Sequence, residues 1–166
     1  MKNTIKRTAA VLAAFVINTS SVNAAGFDIS VFRGAGEKIF YYCDRKLESD
    51  IIDLTNAIRA ENGLGRLEYD SGLAKAAYAH AKDMYEQAYF EHDSQNGPDF
   101  GTRVREYTGG RFMMLAENIA NGNMSAETAL NLWMNSAGHR ANILNGSYKY
   151  IGVGYYGGYF VVDFAG

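Results

Sequence analysis

The stretch IGVGYYGGYFVVDF, residues 151–164, constrains this chain more than any other. Apolar and small residues alternate on either side of Gly157-Gly158, the pattern of two strands joined by a two-residue hairpin turn. Ile151, Val153 and Tyr155 share one face, and Gly152 and Gly154 share the other. Glycines repeated on one strand face leave room for a helix or another backbone to approach closely. The chain must therefore supply an antiparallel hairpin and an element that lies directly upon it.

Helical periodicity supplies candidates. Ile52, Thr55, Ile58 and Arg59 fall at helical spacing, with Ser49 as N-cap and Gly63 as the stop. A second stripe, Leu73, Ala76, Ala77, His80, Ala81, Met84 and Ala88, predicts a helix opened by Asp70 or Ser71, and these two helices are expected to pack together. After the turn Asn96-Gly97-Pro98 a short helix is expected over Phe100 to Tyr107. A fourth opens at Ser125, carries Ala129, Leu132, Trp133 and Ser136 on one face and ends at Gly138. Residues 25–47 fit neither a long helix nor a clean strand, with one short strand expected at Ile39 to Tyr42. Helices followed by a terminal hairpin give an α+β class with helices covering a small sheet. No internal repeat or low-complexity tract interrupts this order.

The first 24 residues read as something else. Lys2, Lys6 and Arg7 precede an apolar run from Ala9 to Ile17 and the exit Val22-Asn23-Ala24, the layout of a secretory signal cleaved after Ala24. The organisation expected is residues 1–24 as signal peptide, 25–47 as an N-terminal extension and 48–166 as one domain. Losing three cations takes the formal charge from −2 to about −5, which disfavours nucleic acid as a partner. No later segment is apolar enough to span a bilayer, so a protein exported outside the cell or to its envelope, and monomeric, is expected. Cys43 has no partner in the chain, so packing rather than disulfides must hold the fold; a small buried side chain is the ordinary role for it.

Three histidines are present and they differ in setting. His80 lies inside an alanine-rich helical stripe, where a buried histidine with a local hydrogen bond is the simpler explanation. His92, in YFEHDS, follows that helix in a loop. His139, in SAGHRAN, reads as a residue beyond a helix end that complements the helix dipole, or as half of a site. Glu117 lies in the apolar run LAENIA, where a carboxylate needs a partner; it either caps the segment from Asn118 to Asn121 or belongs to a site. Two imidazoles and one carboxylate form a reasonable set for zinc or another divalent cation, although their spacing does not by itself bring them together.

Four stretches in order, LTNAIRAENGLGRLEYDSGLAKAAYAHAKDM, YFEHDS, AENIANG and ALNLWMNSAGHRANILNGSYKYIGVGYY, resemble the CAP superfamily of cysteine-rich secretory, antigen 5 and pathogenesis-related proteins, in particular its bacterial secreted SCP-like branch. The resemblance runs from about Leu47 to Phe164. It implies an α-β-α sandwich, with helices flanking a small antiparallel sheet, and a central cleft in which His92, Glu117 and His139 are the matching site positions and some members hold zinc or another divalent ion. Where many eukaryotic members carry a second glutamate in a Trp-x-x-Glu stretch, this chain has Trp133-Met134-Asn135-Ser136, so Ser136 stands at that position as a cleft neighbour. The disulfides of eukaryotic members are absent.

Three functions follow as expectations. The first is a secreted module whose cleft binds a small ligand, a lipid or a protein partner, with a metal as an optional component. The second is a metal-dependent extracellular hydrolase of protease type, or a serine version in which Ser136, His139 and Glu117 act as nucleophile, base and orienter. The third is a structural domain of the envelope, to which 12 tyrosines lend a surface suited to protein or glycan contacts. Fold resemblance alone assigns none of them.

Overall fold

A Cβ built on Gly152 would stand 2.2 Å from the Ala74 backbone nitrogen, and one on Gly154 would stand 2.1 Å from that of Tyr78. These contacts fix the architecture, because the glycine face of the hairpin is where a helix backbone lies directly on the sheet. The structure is a computed structural model, and it describes residues 35–166, with side chains from Arg45 onward. The expected signal, the cleavage point and residues 25–34 lie outside the described residues, as does the side chain of Cys43.

In chain order the elements are α1 (Ala35–Glu61), β1 (Glu68–Tyr69), α2 (Ser71–Gln87), α3 (Phe100–Thr108), β2 (Leu115–Asn121), α4 (Ala126–Asn135), α5 (Ala137–Ile143), β3 (Tyr150–Tyr156) and β4 (Tyr159–Ala165). The sheet order is β1-β3-β4-β2. β4 runs antiparallel to both of its neighbours, β2 and β3, whereas the two-residue β1 runs parallel to β3, so the sheet is antiparallel only in its three long strands. The hairpin turns through Gly157 and Gly158, both at positive φ. That geometry matches the twist of the flanking strands, and glycine adopts it without steric cost.

The two sheet faces are covered by different helices. On one, Ile151, Val153, Phe160, Val162 and Phe164 join Trp133 of α4, Ile143 of α5 and Ile51 of α1 in the main core. On the other, Leu73, Ala76, Ala77, Ala81 and Met84 of α2 pack with Val104 of α3, Ile119, Val161 and Ala165. The expected α-β-α sandwich forms, and the first two helices, expected to pack together, contribute instead to different core clusters. They lie on opposite sides of the sheet because both stripes are apolar and the hairpin offers two faces.

Several boundaries differ from the sequence reading. Ile39 to Tyr42 lie within α1, not in a strand, and the same helix runs on through Ser49. Ser49 is therefore not an N-cap; its hydroxyl donates to the Lys46 carbonyl at 2.8 Å. Asp70 does cap α2, accepting from the backbone N–H groups of Gly72 and Leu73. Ala88 is the C-cap of α2 at φ 56, outside the buried stripe. α4 buries Leu130 where Leu132 was expected, because Leu130 is in phase with Ala126, Ala129 and Trp133, while Leu132 is exposed. The break after α4 comes at Ser136, with extended ψ 123, and Gly138 lies inside the following helix.

Long-range polar bonds hold α4 and α5 at the sheet. The guanidinium of the buried Arg59 donates to the carbonyls of Gly65, Ile143 and Asn145 at 2.8–2.9 Å, tying α1 to the end of α5. Burial lowers its pKa from the ordinary arginine value. The indole N–H of Trp133 donates to the Ile119 carbonyl at 3.0 Å and fastens α4 to β2.

Candidate functional site

The site forms around β2, an edge strand. Strand alternation sends Ala116, Asn118 and Ala120 toward α4 and α5, and Glu117 and Ile119 toward α2. Glu117 is thus a strand residue with a buried carboxylate rather than a cap for residues 118–121.

Both of its oxygens are taken. His92 Nδ1–H donates to Oε1 at 2.8 Å, and Arg103 Nη2–H donates to Oε2 at 2.7 Å. The same Arg103 nitrogen donates to the His92 carbonyl at 3.0 Å, and Nη1 reaches the Ser94 hydroxyl at 3.3 Å. Arg103 therefore holds both the carboxylate and the loop that delivers the histidine. That loop is pinned at its start as well: the Tyr89 hydroxyl donates to Asp83, and His80 Nε2–H donates to the Glu91 carbonyl at 2.8 Å. At its far end the Phe100 N–H donates to Asp93 at 2.9 Å.

His92 emerges as a half-exposed imidazole gripped from behind, its side chain 52% exposed against 1% for Glu117. The bond to Glu117 raises its pKa above the ordinary histidine value, against an opposing effect of burial. His139 stands in the first turn of α5, not beyond a helix C-terminus as the sequence suggested. Its carbonyl accepts from the Asn118 carboxamide at 3.1 Å, and Asn142 of the same helix donates to Asn118 Oδ1 at 2.8 Å, so α5 is docked on β2. Burial, and then the nearby charge of His92, lower the pKa of His139. The charge of His92 is thus felt at His139.

Three residues that the sequence reading did not assign to the site belong to this cluster. Arg103 lay in the predicted third helix, where a buried arginine looks like any exposed one. His80 is wholly buried and has the local bond expected of it, yet its Nε2 also lies 4.0 Å from Glu117 Oε1. Burial lowers its pKa, and its Nδ1 has no hydrogen-bond partner among the described residues. Asp163, the fully buried register partner of Glu117, projects to the same face. Among the described residues neither of its oxygens has a hydrogen-bond partner, but Glu117 lies near enough that burial, followed by that like charge, raises its pKa well above the ordinary carboxylate range. Burial and the neighbouring carboxylate thus both favour the neutral form of Asp163. Its sequence signal was present: a lone acid at an inward position of YFVVDFA.

The pattern of the cysteine-rich secretory protein family, CAP, matches residues 52–164. This chain belongs to the CAP family. Among curated proteins the CAP chain is similar to the uncharacterised protein YkwD of Bacillus subtilis strain 168, 41% identical over 110 residues, 65% of this chain and 42% of that protein. It is also similar to the uncharacterised membrane protein YlbC of the same organism, 39% identical over 119 residues, 70% of this chain and 34% of that protein. This CAP chain therefore spans less than half the length of the curated relatives it matches. Among solved structures, an extracellular protein containing an SCP domain from Bacillus anthracis superposes with a TM-score of 0.76 at 33% identity, over 81% of this chain and 45% of that one.

The CAP residues do not assemble every arrangement considered above. No hydrogen bond joins the Ser136 hydroxyl to His139 or Glu117 among the described residues, and that hydroxyl makes no cap bond to α5. The serine arrangement is therefore not formed. Among the described residues no three His, Cys, Asp or Glu side chains converge as a metal ion requires. Glu117 spends both oxygens on His92 and Arg103, and a guanidinium 2.7 Å away opposes a cation there. In this arrangement Glu117 supports His92 from behind rather than standing beside the two imidazoles as a third direct ligand. Among the described residues no helix is long and apolar enough to cross a membrane.

Proposed function

We propose that this chain is an exported CAP binding module, and that the face between the His92 loop and the first turn of α5 holds a ligand or partner group through the two imidazoles. The observation that carries the reading is the Arg103–Glu117–His92 chain of hydrogen bonds. It leaves one half-exposed imidazole oriented before any ligand arrives, and such preorganisation reduces the ordering cost of binding. With Nδ1–H committed to Glu117, His92 turns Nε2 outward. When charged it donates there to a carbonyl, carboxylate or phosphate oxygen, while His139, biased toward its neutral form, accepts a proton or a hydrogen bond. Export is supported by the extracellular relative from Bacillus anthracis, which shares the SCP domain.

A hydrolase would need a nucleophile or an activated water beside these groups. The contacts favour binding, because the base and its orienter are in place without a reacting hydroxyl. The reading needs no metal: protein equilibrated with zinc and then desalted should keep far less than one ion per chain by elemental analysis. Ligand-observed NMR with a fragment set rich in carboxylates and phosphate esters tests the proposal. Hits that vanish in His92→Ala and weaken in Glu117→Gln are expected; an identical hit list for all three proteins would refute it.

A further inference from the structure

A second concavity lies away from the imidazoles. It has a volume of about 710 Å³, within the roughly 300–1,000 Å³ usual for ligand sites, and it contains none of His92, Glu117 or His139. Tyr69, Tyr78 and Tyr107 line it. Beyond Tyr78 the aromatic surface continues without a break: Tyr78 meets Tyr156 edge to face at 5.9 Å, Tyr156 meets Tyr85 at 5.2 Å, and Tyr159 links Tyr85 to Phe90 at 6.3 Å on each side. Of the large hydrophobic side chains exposed on the described surface, five lie on this single track: Tyr69, Tyr107, Tyr78, Tyr85 and Phe90. The rings are held in place. Tyr85 lies against the hairpin turn so closely that a Cβ on Gly157 would stand 2.2 Å from its ring.

The chemistry of the track narrows the occupant. Its aliphatic lining is limited to Ala74, Ala79 and Val153, too little to hold an acyl chain. Arg45, Lys75 and Lys82 are balanced by Glu48, Asp83 and Glu86, so the cavity presents no net field for a polyanion. A peptide adding as a strand would need an open backbone edge, but Val153 is only 1% exposed and the N–H of Tyr155 already donates to Glu48 at 3.3 Å. What remains is a neutral polymer with flat apolar faces and many hydroxyls. Pyranose rings present C–H faces to aromatic rings, and their hydroxyls bond to carboxylates and ammonium groups of both signs.

We propose that this tyrosine track is a saccharide-binding groove, in which an extended, uncharged oligosaccharide stacks on Tyr69, Tyr78 and Tyr107 inside the cavity and on Tyr85 at the hairpin turn. The proposal does not rest on the imidazole reading. Calorimetry and NMR of the tyrosine rings, with the hexasaccharides of β-1,4-linked N-acetylglucosamine and of β-1,4-linked glucose as probes, test it on the full chain. At least one probe should bind. Tyr85→Ala and Tyr107→Ala should each weaken it about ten-fold, the scale of one lost stacking ring. Tyr85→Phe should restore binding, while Leu132→Ala, an exposed change on α4, and His139→Ala should leave it unchanged. The proposal is overturned if neither hexasaccharide binds at millimolar concentration, if binding ignores both tyrosine truncations, if His139→Ala abolishes it, or if a six-residue mixed-charge peptide shifts these rings and the sugars do not.

Discussion

The two faces of the sheet solve the same packing problem with opposite chemistry. Toward α1, α4 and α5 the strands present Ile151, Val153, Phe160, Val162 and Phe164, and Trp133 fills the space between layers. Toward α2 and α3 they present two glycines, a buried acid whose pKa is raised, and a carboxylate bound to an arginine and a histidine. The first face gains stability by excluding water and offers little chemistry. The second accepts a close backbone contact and a desolvated polar cluster, and in return it presents an oriented imidazole at the edge of the sheet. Stability and function are thus divided between the faces, with β2 serving both through its alternation.

The largest way to break this division is Arg103→Met. Glu117 would lose its cation while buried beside Asp163, and breaking a buried pair of this kind costs about 3–5 kcal/mol. The deficit should appear in urea unfolding at pH 7. A loss below about 1 kcal/mol would show that the buried pair contributes no more than an exposed one.

Gly152→Ala comes next, at about 3 kcal/mol, since its Cβ would meet the α2 backbone rather than a movable side chain. Gly146→Ala, with its nearest contact at 3.6 Å to Leu64, should be tolerated. Similar urea midpoints for the two variants would contradict the close approach of α2. On the apolar face, Trp133→Phe removes the bond to Ile119 and strands that carbonyl, for about 1–3 kcal/mol with no pH dependence between 5 and 8. Ser136→Ala should be the smallest change, within about 0.5 kcal/mol in thermal unfolding, because its hydroxyl caps nothing. A larger loss would assign Ser136 a bond that the structure lacks.

The faces also differ in how far they could be read from sequence. Period-2 alternation around Gly157-Gly158 and the stripe from Leu73 to Met84 are local signals, and both elements formed where they predicted. The glycine face likewise foretold a close helix. Which helix it would be was not legible, since two apolar stripes compete for two sheet faces and the outcome depends on the whole chain. The start of α1 was missed because Gly34-Ala35-Gly36 resembles a loop and the helix runs through it from Ala35. At the site, His92 and Glu117 were grouped with His139 only through the family resemblance, since positions 92 and 117 carry no local motif; the hydrogen bond between them becomes visible only in the fold. Arg103 left no sign in its own helix, because what sets it apart is a carboxylate 14 residues away. Asp163 did leave one, and its role became visible only when the β2–β4 register placed it opposite Glu117.

The central claim is that Glu117, held by Arg103, grips His92 and sets it apart from the other two histidines. A proton NMR titration of the three imidazole C2–H signals, assigned with single His→Gln variants, tests it most directly. His92 should titrate above the ordinary histidine value of about 6.5 and His80 and His139 below it. The stability that His92 contributes should accordingly be full in mild acid and fade as pH rises through its folded pKa, while His80 and His139 should act in the opposite sense below about 6.5. Three signals titrating together near 6.5, or His92 titrating lowest, would contradict the account.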